Sequence, residues 1–240
     1  MSGAADGAGD DAAASDVIVL DVGSSLTKVG FSGEDSPRVR FSSIVGVDAD
    51  GLEPDMASVG TNGGGDGADD DAKYFYVGDE VLSRRDALNI SKPVQKTVVH
   101  DWDALEKMWE WCFNDELSVD AEAFPVLVMD SVLESKKSRE TMAKIMFEKF
   151  NVKSFYIATQ EVLSLFSSGL TSGVVLESGD EITRAVPVFE GYPLRHAASS
   201  TRLATRNLYS HFGKGLQVCS TPLVVACHAA VLVLSSRARV

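Results

Sequence analysis

Short apolar runs separated by turn residues open the patterned part of the chain. VIVLDVG begins at Val17 and is ended by Asp21 and Gly23; KVGFSG and RVRF follow as β-biased pieces. The pattern predicts a strand, a tight turn and a returning strand. YFYVGDE leads into a helix expected over 80–89, and Pro93 forbids its simple continuation. The clearest helical periodicity covers 103–117, where Leu105, Met108, Trp109, Cys112, Phe113 and Leu117 recur on one face and Asp103 with Glu106 reads as a cap. FPVLVMD is an apolar strand of the kind found inside parallel or mixed sheets. A helix over 137–150, the strand SFYIA and a helix over 160–168 stopped by Gly169 complete an alternation that marks an α/β fold.

Two stretches carry no such pattern. Residues 1–16 are Ala, Gly and Asp with little to bury, and 47–72, with the run TNGGGDGADDDA, is an acidic, glycine-rich insertion between patterned regions. Such composition does not repay the entropy of ordering, so a disordered tail and a long loop are expected. They also explain the net charge of -13. Residues 1–16 hold four acids and 48–72 hold eight; removing these twelve from 35 leaves 23 against 22 lysines and arginines. The body of the chain is therefore close to neutral, with no basic stripe, and direct nucleic-acid binding is not expected. With 240 residues and 45% hydrophobic content the chain can bury one large core or two small ones. Three cysteines without metal-ligand spacing, and no charged and apolar leader, point to a reducing compartment, cytosolic or nuclear.

An internal repeat is the most informative feature. VIVLDVGSSLTKVGF at 17–31 aligns with GVVLESGDEITRAVP at 173–187, matching Asp21 with Glu177, Gly23 with Gly179, Thr27 with Thr183 and Lys28 with Arg184 at a constant offset of 156 residues. A strand that ends in an acid and enters a glycine turn offers backbone N–H groups to an anion and sets a carboxylate beside it, which suits a phosphate with a divalent cation. Each copy alone also reads as a plain hairpin with a glycine turn; the fixed offset favours two related halves that clamp phosphates between them. Other chemistry is thin. His100, His196, His211 and His228 are scattered, no GxSxG, HExxH or Walker A pattern occurs, and Trp102, Trp109 and Trp111 read as helix packing.

DVGSSLTKVGFSGEDSPRVRFSSIVG resembles the opening of actin, YVGDE and WDALEKMW resemble its next blocks, and QEVLSLFSSGLTSGVVLESGDEITRAVPVFEGYPL resembles the stretch around its second phosphate loop. The likeness runs from about Val17 to Gly191 and weakens through Leu208. It implies the actin-like, ribonuclease-H-like α/β fold, a mixed five-stranded sheet with helices and an incomplete second lobe. By this resemblance 17–46 and 73–170 form the first lobe, 47–72 replaces the subdomain-two loop, 171–214 starts the second lobe, and 215–240 is a divergent hydrophobic tail.

The resemblance also implies ATP with Mg²⁺ as ligand. Gly23, Ser24 and Ser25 would approach phosphate, Gly23 and Ser24 through their amides; Lys28 would pair with phosphate charge, and Gly179 and Asp180 would form the second loop. Asp21 and Glu177 would meet the metal through water. The departures weaken this site. Val22 and Ser25 differ from the family's Asn and Gly. Glu177 replaces an Asp and is longer by about 1.5 Å, and Arg184 replaces a His. Glu181 replaces a glycine and brings a carboxylate whose repulsion of a phosphate charge at about 4 Å is about 4 kcal/mol at an effective dielectric of 20. Lys144 is placed where the family carries the glutamine that orders the attacking water, and a Lys ammonium cannot accept a hydrogen bond.

Assembly is expected to differ too, because the acidic insertion replaces a filament contact and Lys96 falls where the family has a histidine. The chain ends at Val240, whereas family members are longer, so weaker ATP affinity is expected. Residues 218–234 are apolar and just long enough for a membrane helix, but Pro222 and His228 favour a buried or disordered remnant, and membrane association is not expected. The leading expectation is a structural or scaffolding component, cytoskeletal or within a multi-protein complex of actin or actin-related subunits, with little ATP hydrolysis. An ATP-binding, slowly hydrolysing filament subunit and a truncated product without independent activity are the alternatives.

Overall fold

The computed structural model describes residues 16–48, 75–217 and 230–234. The acidic tail, all of the acidic insertion after Asp48, and most of the apolar carboxyl-terminal segment lie outside these residues. The first part of the chain forms β1 (Ile18–Val22), β2 (Leu26–Phe31), β3 (Val39–Ser42), β4 (Val45–Asp48), β5 (Phe75–Val77), α1 (Asp79–Ser83), β6 (Leu88–Ser91), β7 (Val94–Gln95) and β8 (Val98–Val99). There follow α2 (Trp102–Trp111), β9 (Pro125–Asp130), α3 (Lys136–Glu148), β10 (Ser154–Thr159) and α4 (Gln160–Ser167). The last part comprises β11 (Gly173–Ser178), β12 (Thr183–Phe189), β13 (Tyr192–Pro193), β14 (Ser199–Thr201), α5 (Thr205–Gln217) and β15 (Ala230–Leu234).

The main sheet has the order β10-β9-β1-β2-β3. Its first three strands run parallel and its last three antiparallel, which is the mixed five-stranded sheet expected from the alternation of elements. Residues alternate across a strand, so Ile18, Leu20, Val126 and Val128 enter the core while Met129 is left for the opposite, cleft-lining side. Against them pack Leu105, Met108, Trp109 and Phe113 from α2 and the turn after it, and Met142 and Met146 from α3. Trp111 lies edge-on to Phe41, so the tryptophans do serve packing. A second sheet, β13-β12-β11-β15 with β14 on β12, holds a smaller core of Val162, Leu165, Val175, Val186 and Val188.

Three local expectations are corrected. The helix expected over 80–89 ends at Ser83, because Leu88–Ser91 pairs with β4 in a three-stranded sheet; that ladder outweighs a short helical pattern. The cap of α2 is Asp101, whose Oδ1 accepts the Ala104 N–H at 3.0 Å, and not Asp103. The helix then widens over Cys112–Glu116 into a π turn, in which the Leu117 N–H donates to the Cys112 carbonyl. In the apolar tail, Ala230–Leu234 is a strand that pairs antiparallel with β11, so the end of the 218–234 run belongs to the second sheet. No helix among the described residues is long and apolar enough to cross a membrane.

Candidate functional site

The two hairpins are the same object built twice. In the first, Asp21 lies opposite Lys28 and Val22 opposite Thr27; in the second, Glu177 lies opposite Arg184 and Ser178 opposite Thr183. The offset of 156 seen in the sequence is thus an offset of strand register. Each turn is closed by its glycine: the Gly23 N–H donates to the Leu26 carbonyl at 3.0 Å and the Gly179 N–H to the Ile182 carbonyl at 2.9 Å. Glycine is required by that approach at Gly23, where a Cβ would stand 2.8 Å from the Leu26 oxygen, and favoured at Gly179, where one would stand 3.3 Å from the Ile182 oxygen. The Gly23 amide, expected to face phosphate with that of Ser24, is instead occupied by its own turn. The amides that make no hydrogen bond within the described chain are those of the intervening residues, Ser24 and Ser25 in one turn and Asp180 and Glu181 in the other.

Both turns open into one cleft of about 240 Å³. Asp21, Gly23, Ser24, Ser25, Lys28, Glu177, Gly179 and Asp180 all line it, so every residue assigned to nucleotide binding from the sequence is brought together. Asp21, Asp130 and Gln160 stand at or just beyond the carboxyl ends of the parallel strands β1, β9 and β10, where ligands of open α/β sheets bind.

Lys144 is not in this group. The buried face of α3 carries Met142 and Met146, which sends Lys144 to the other face; it is largely exposed and lies 3.7 Å from Glu148, one turn on. The glutamine of the cleft is Gln160, at the first position of α4, where β10 delivers it. Lys144, expected at the water-ordering position, therefore lies away from the cleft. QEVLSLFSSGL was visible as a continuous block with the second hairpin, and its leading Gln was the available signal.

Most charges of the cleft are paired within the chain. Lys28 Nζ is 3.0 Å from Asp21, Arg139 Nε is 2.7 Å from Asp130, and Arg206 pairs with both Asp180 and Glu181. Glu181, expected to repel phosphate, also accepts the Lys96 N–H at 2.6 Å, so its charge is engaged. Lys96 and Thr97 form the two-residue turn between β7 and β8 with φ of 51° and 66°, the left-handed pair such hairpins require. Two non-glycine residues there cost about 1–3 kcal/mol each, and the bond to Glu181 offsets part of that.

The centre of the second hairpin is a buried cluster that the sequence showed only in part. Arg184 is 6% exposed; its Nη2 donates to Glu177 at 2.9 Å and to the Gln160 side-chain carbonyl at 3.2 Å, and its Nε lies 3.3 Å from Glu161 Oε1. Glu161 is fully buried, and its other oxygen accepts the Val132 N–H. Burial pushes the Glu177 carboxyl above its ordinary value; Arg184 opposes this, and the carboxylates of Glu161 and Asp21 add to it. That Asp21 acts on Glu177 at all reflects their shared cleft. Burial likewise raises Asp130 despite Arg139.

The resemblance implies ATP with Mg²⁺ as the ligand of this cleft. A phosphate chain fits: free turn amides enter from both hairpins, with Lys28, Arg40 and Lys96 on the walls. A directly coordinated divalent cation finds no such set. Glu177 is committed to Arg184, and no three His, Cys, Asp or Glu side chains converge as a metal site among the described residues. Glu177, expected to meet a metal through water, pairs with Arg184 at 2.9 Å, and Asp21, expected to do the same, pairs with Lys28 at 3.0 Å.

A mixed sheet with a duplicated acid-glycine hairpin on either side of one cleft defines an α/β protein of the actin-like fold. A family model described as Actin matches residues 12–228. The chain belongs to the actin family. Members of that family generally bind ATP and assemble with other subunits.

Proposed function

We propose that this chain is an actin-like structural or scaffolding subunit, cytoskeletal or part of a multi-protein complex of actin or actin-related subunits, cytoplasmic or nuclear. It holds the phosphate chain of ATP between its hairpins mainly for shape and turns it over slowly or not at all. One observation carries the reading. The two groups in the cleft best suited to steer a nucleophilic water, the Gln160 carbonyl and the Glu177 carboxylate, both accept hydrogen bonds from the Arg184 guanidinium. A general base has to accept the proton of its water, and a carboxylate held by a buried guanidinium is poorly placed to do so.

In the bound state the Ser24, Ser25, Asp180 and Glu181 amides and the Lys28 ammonium would hold phosphate oxygens. Gln160 would remain fixed by Arg184. The test is phosphate release from ATP by the purified chain beside ordinary actin. The expected rate is at least about tenfold lower, a barrier higher by about 1.4 kcal/mol, and Lys144→Ala leaves it unchanged. Release at the rate of ordinary actin would overturn the reading.

A further inference from the structure

We propose that Arg184 takes the place of a divalent cation at the second hairpin, so that the cleft binds the phosphate chain of a nucleoside polyphosphate without metal. The inference rests on the phosphate-holding reading above and goes beyond it by assigning the source of positive charge. The observation behind it is an unsatisfied donor. Arg184 is 6% exposed and lines the cleft; its Nη2 donates to Glu177 and Gln160, its Nε is 3.3 Å from Glu161 without a hydrogen bond, and its Nη1 is buried with neither a hydrogen bond nor an ion pair among the described residues. A buried charged donor left unpaired is costly, and an acceptor supplied by a ligand removes that cost.

The chemistry of the surroundings selects the acceptor. The turn amides without partners, at Ser24, Ser25, Asp180 and Glu181, are donors, and so are Arg40 and Lys96, which line the cleft with no ion-pair partner among the described residues. The nearby carboxylates of Asp21, Asp130, Glu177, Asp180 and Glu181 already have bases of this chain. A ligand rich in acceptor oxygens and carrying several negative charges suits that set, and a guanidinium donates to phosphate oxygens through fixed N–H groups. The cleft volume of about 240 Å³ lies below the range of about 300–1,000 Å³ of pockets that enclose a drug-sized ligand. The phosphate chain is therefore the part that the cleft recognises.

A magnesium ion brought to Glu177 would have to displace or face the Arg184 charge at 2.9 Å. The two cations are alternatives at that carboxylate. The arrangement thus predicts an affinity that magnesium does not improve.

The test is isothermal titration calorimetry of the full chain with ATP, and separately with inorganic tripolyphosphate, each in EDTA and in excess magnesium. The expected result is that both probes bind in EDTA and that magnesium leaves the ATP affinity within about twofold, under about 0.4 kcal/mol. Arg184→His is expected to lower the EDTA affinity at least about tenfold while circular dichroism confirms its fold; the wild-type comparison stands without it should that variant not fold. Tightening of ATP by about tenfold or more on adding magnesium, about 1.4 kcal/mol, overturns this inference alone and leaves the phosphate-holding reading intact. Absence of heat with either probe under both conditions overturns both.

Discussion

Arg184→Met removes the guanidinium that lies between two buried carboxylates, those of Glu161 and Glu177. Breaking a buried ion pair by deleting one partner costs about 3–5 kcal/mol. An independent route gives a similar figure. Without Arg184 the cheapest response is for one glutamate to take up a proton; from an ordinary value of about 4.3, at about 1.36 kcal/mol per pH unit, this costs about 3.7 kcal/mol at pH 7 and about 1 kcal/mol at pH 5. The variant should therefore lose about 3–4 kcal/mol at pH 7 and only about 1 kcal/mol at pH 5, read from urea unfolding at the two pH values. In a chain of this length the neutral loss corresponds to a fall in Tm of about 10 °C. Adding Glu161→Gln and Glu177→Gln to the variant should recover most of it. A loss below about 1 kcal/mol at pH 7, or an equal loss at both pH values, would refute the reasoning that burial and shared charge make this cluster depend on its arginine.

Three further outcomes follow from local geometry. Gly23→Ala should destabilise the first hairpin by more than Gly179→Ala does the second, because the added Cβ meets the turn carbonyl at 2.8 Å against 3.3 Å, and thermal unfolding of the two variants ranks them. Asp101→Ala should cost about 1 kcal/mol through loss of the cap, whereas Asp103→Ala stays within about 0.5 kcal/mol; the reverse ranking would return the cap to Asp103. The Glu177 carboxyl is held above its ordinary value, so its contribution to stability is complete below about pH 4.3 and is lost as pH rises through the folded value. Glu177→Gln should therefore flatten that decline, and a steeper decline in the variant would contradict the sign.

What the sequence made legible was whatever repeats or alternates. The strands β1, β2, β9, β10, β11 and β12 follow from apolar runs bounded by turn residues, and the duplicated hairpin was visible because an offset in sequence becomes an offset in register. The short elements were less legible. Whether residues 88–89 were helix or strand depended on β4, which lies across the acidic insertion and is distant in sequence. The site was legible in its charged and glycine positions and not in its wiring. Glu161 carries no mark of burial in the sequence, and its ion pair with Arg184 arises only when α4 and β12 meet. Lys144 was misplaced for the same reason: periodicity places it on α3, but only packing tells which face of α3 meets solvent.

The central claim is that the two hairpins grip one phosphate chain from both sides. Amide chemical shifts of the labelled protein, followed while tripolyphosphate is added, test it most directly. The account predicts that Ser24 and Ser25 move together with Asp180 and Glu181 along a single binding curve, while residues of the exposed face of α3, Lys144 among them, stay still. Movement of one turn without the other, or of neither, would contradict it.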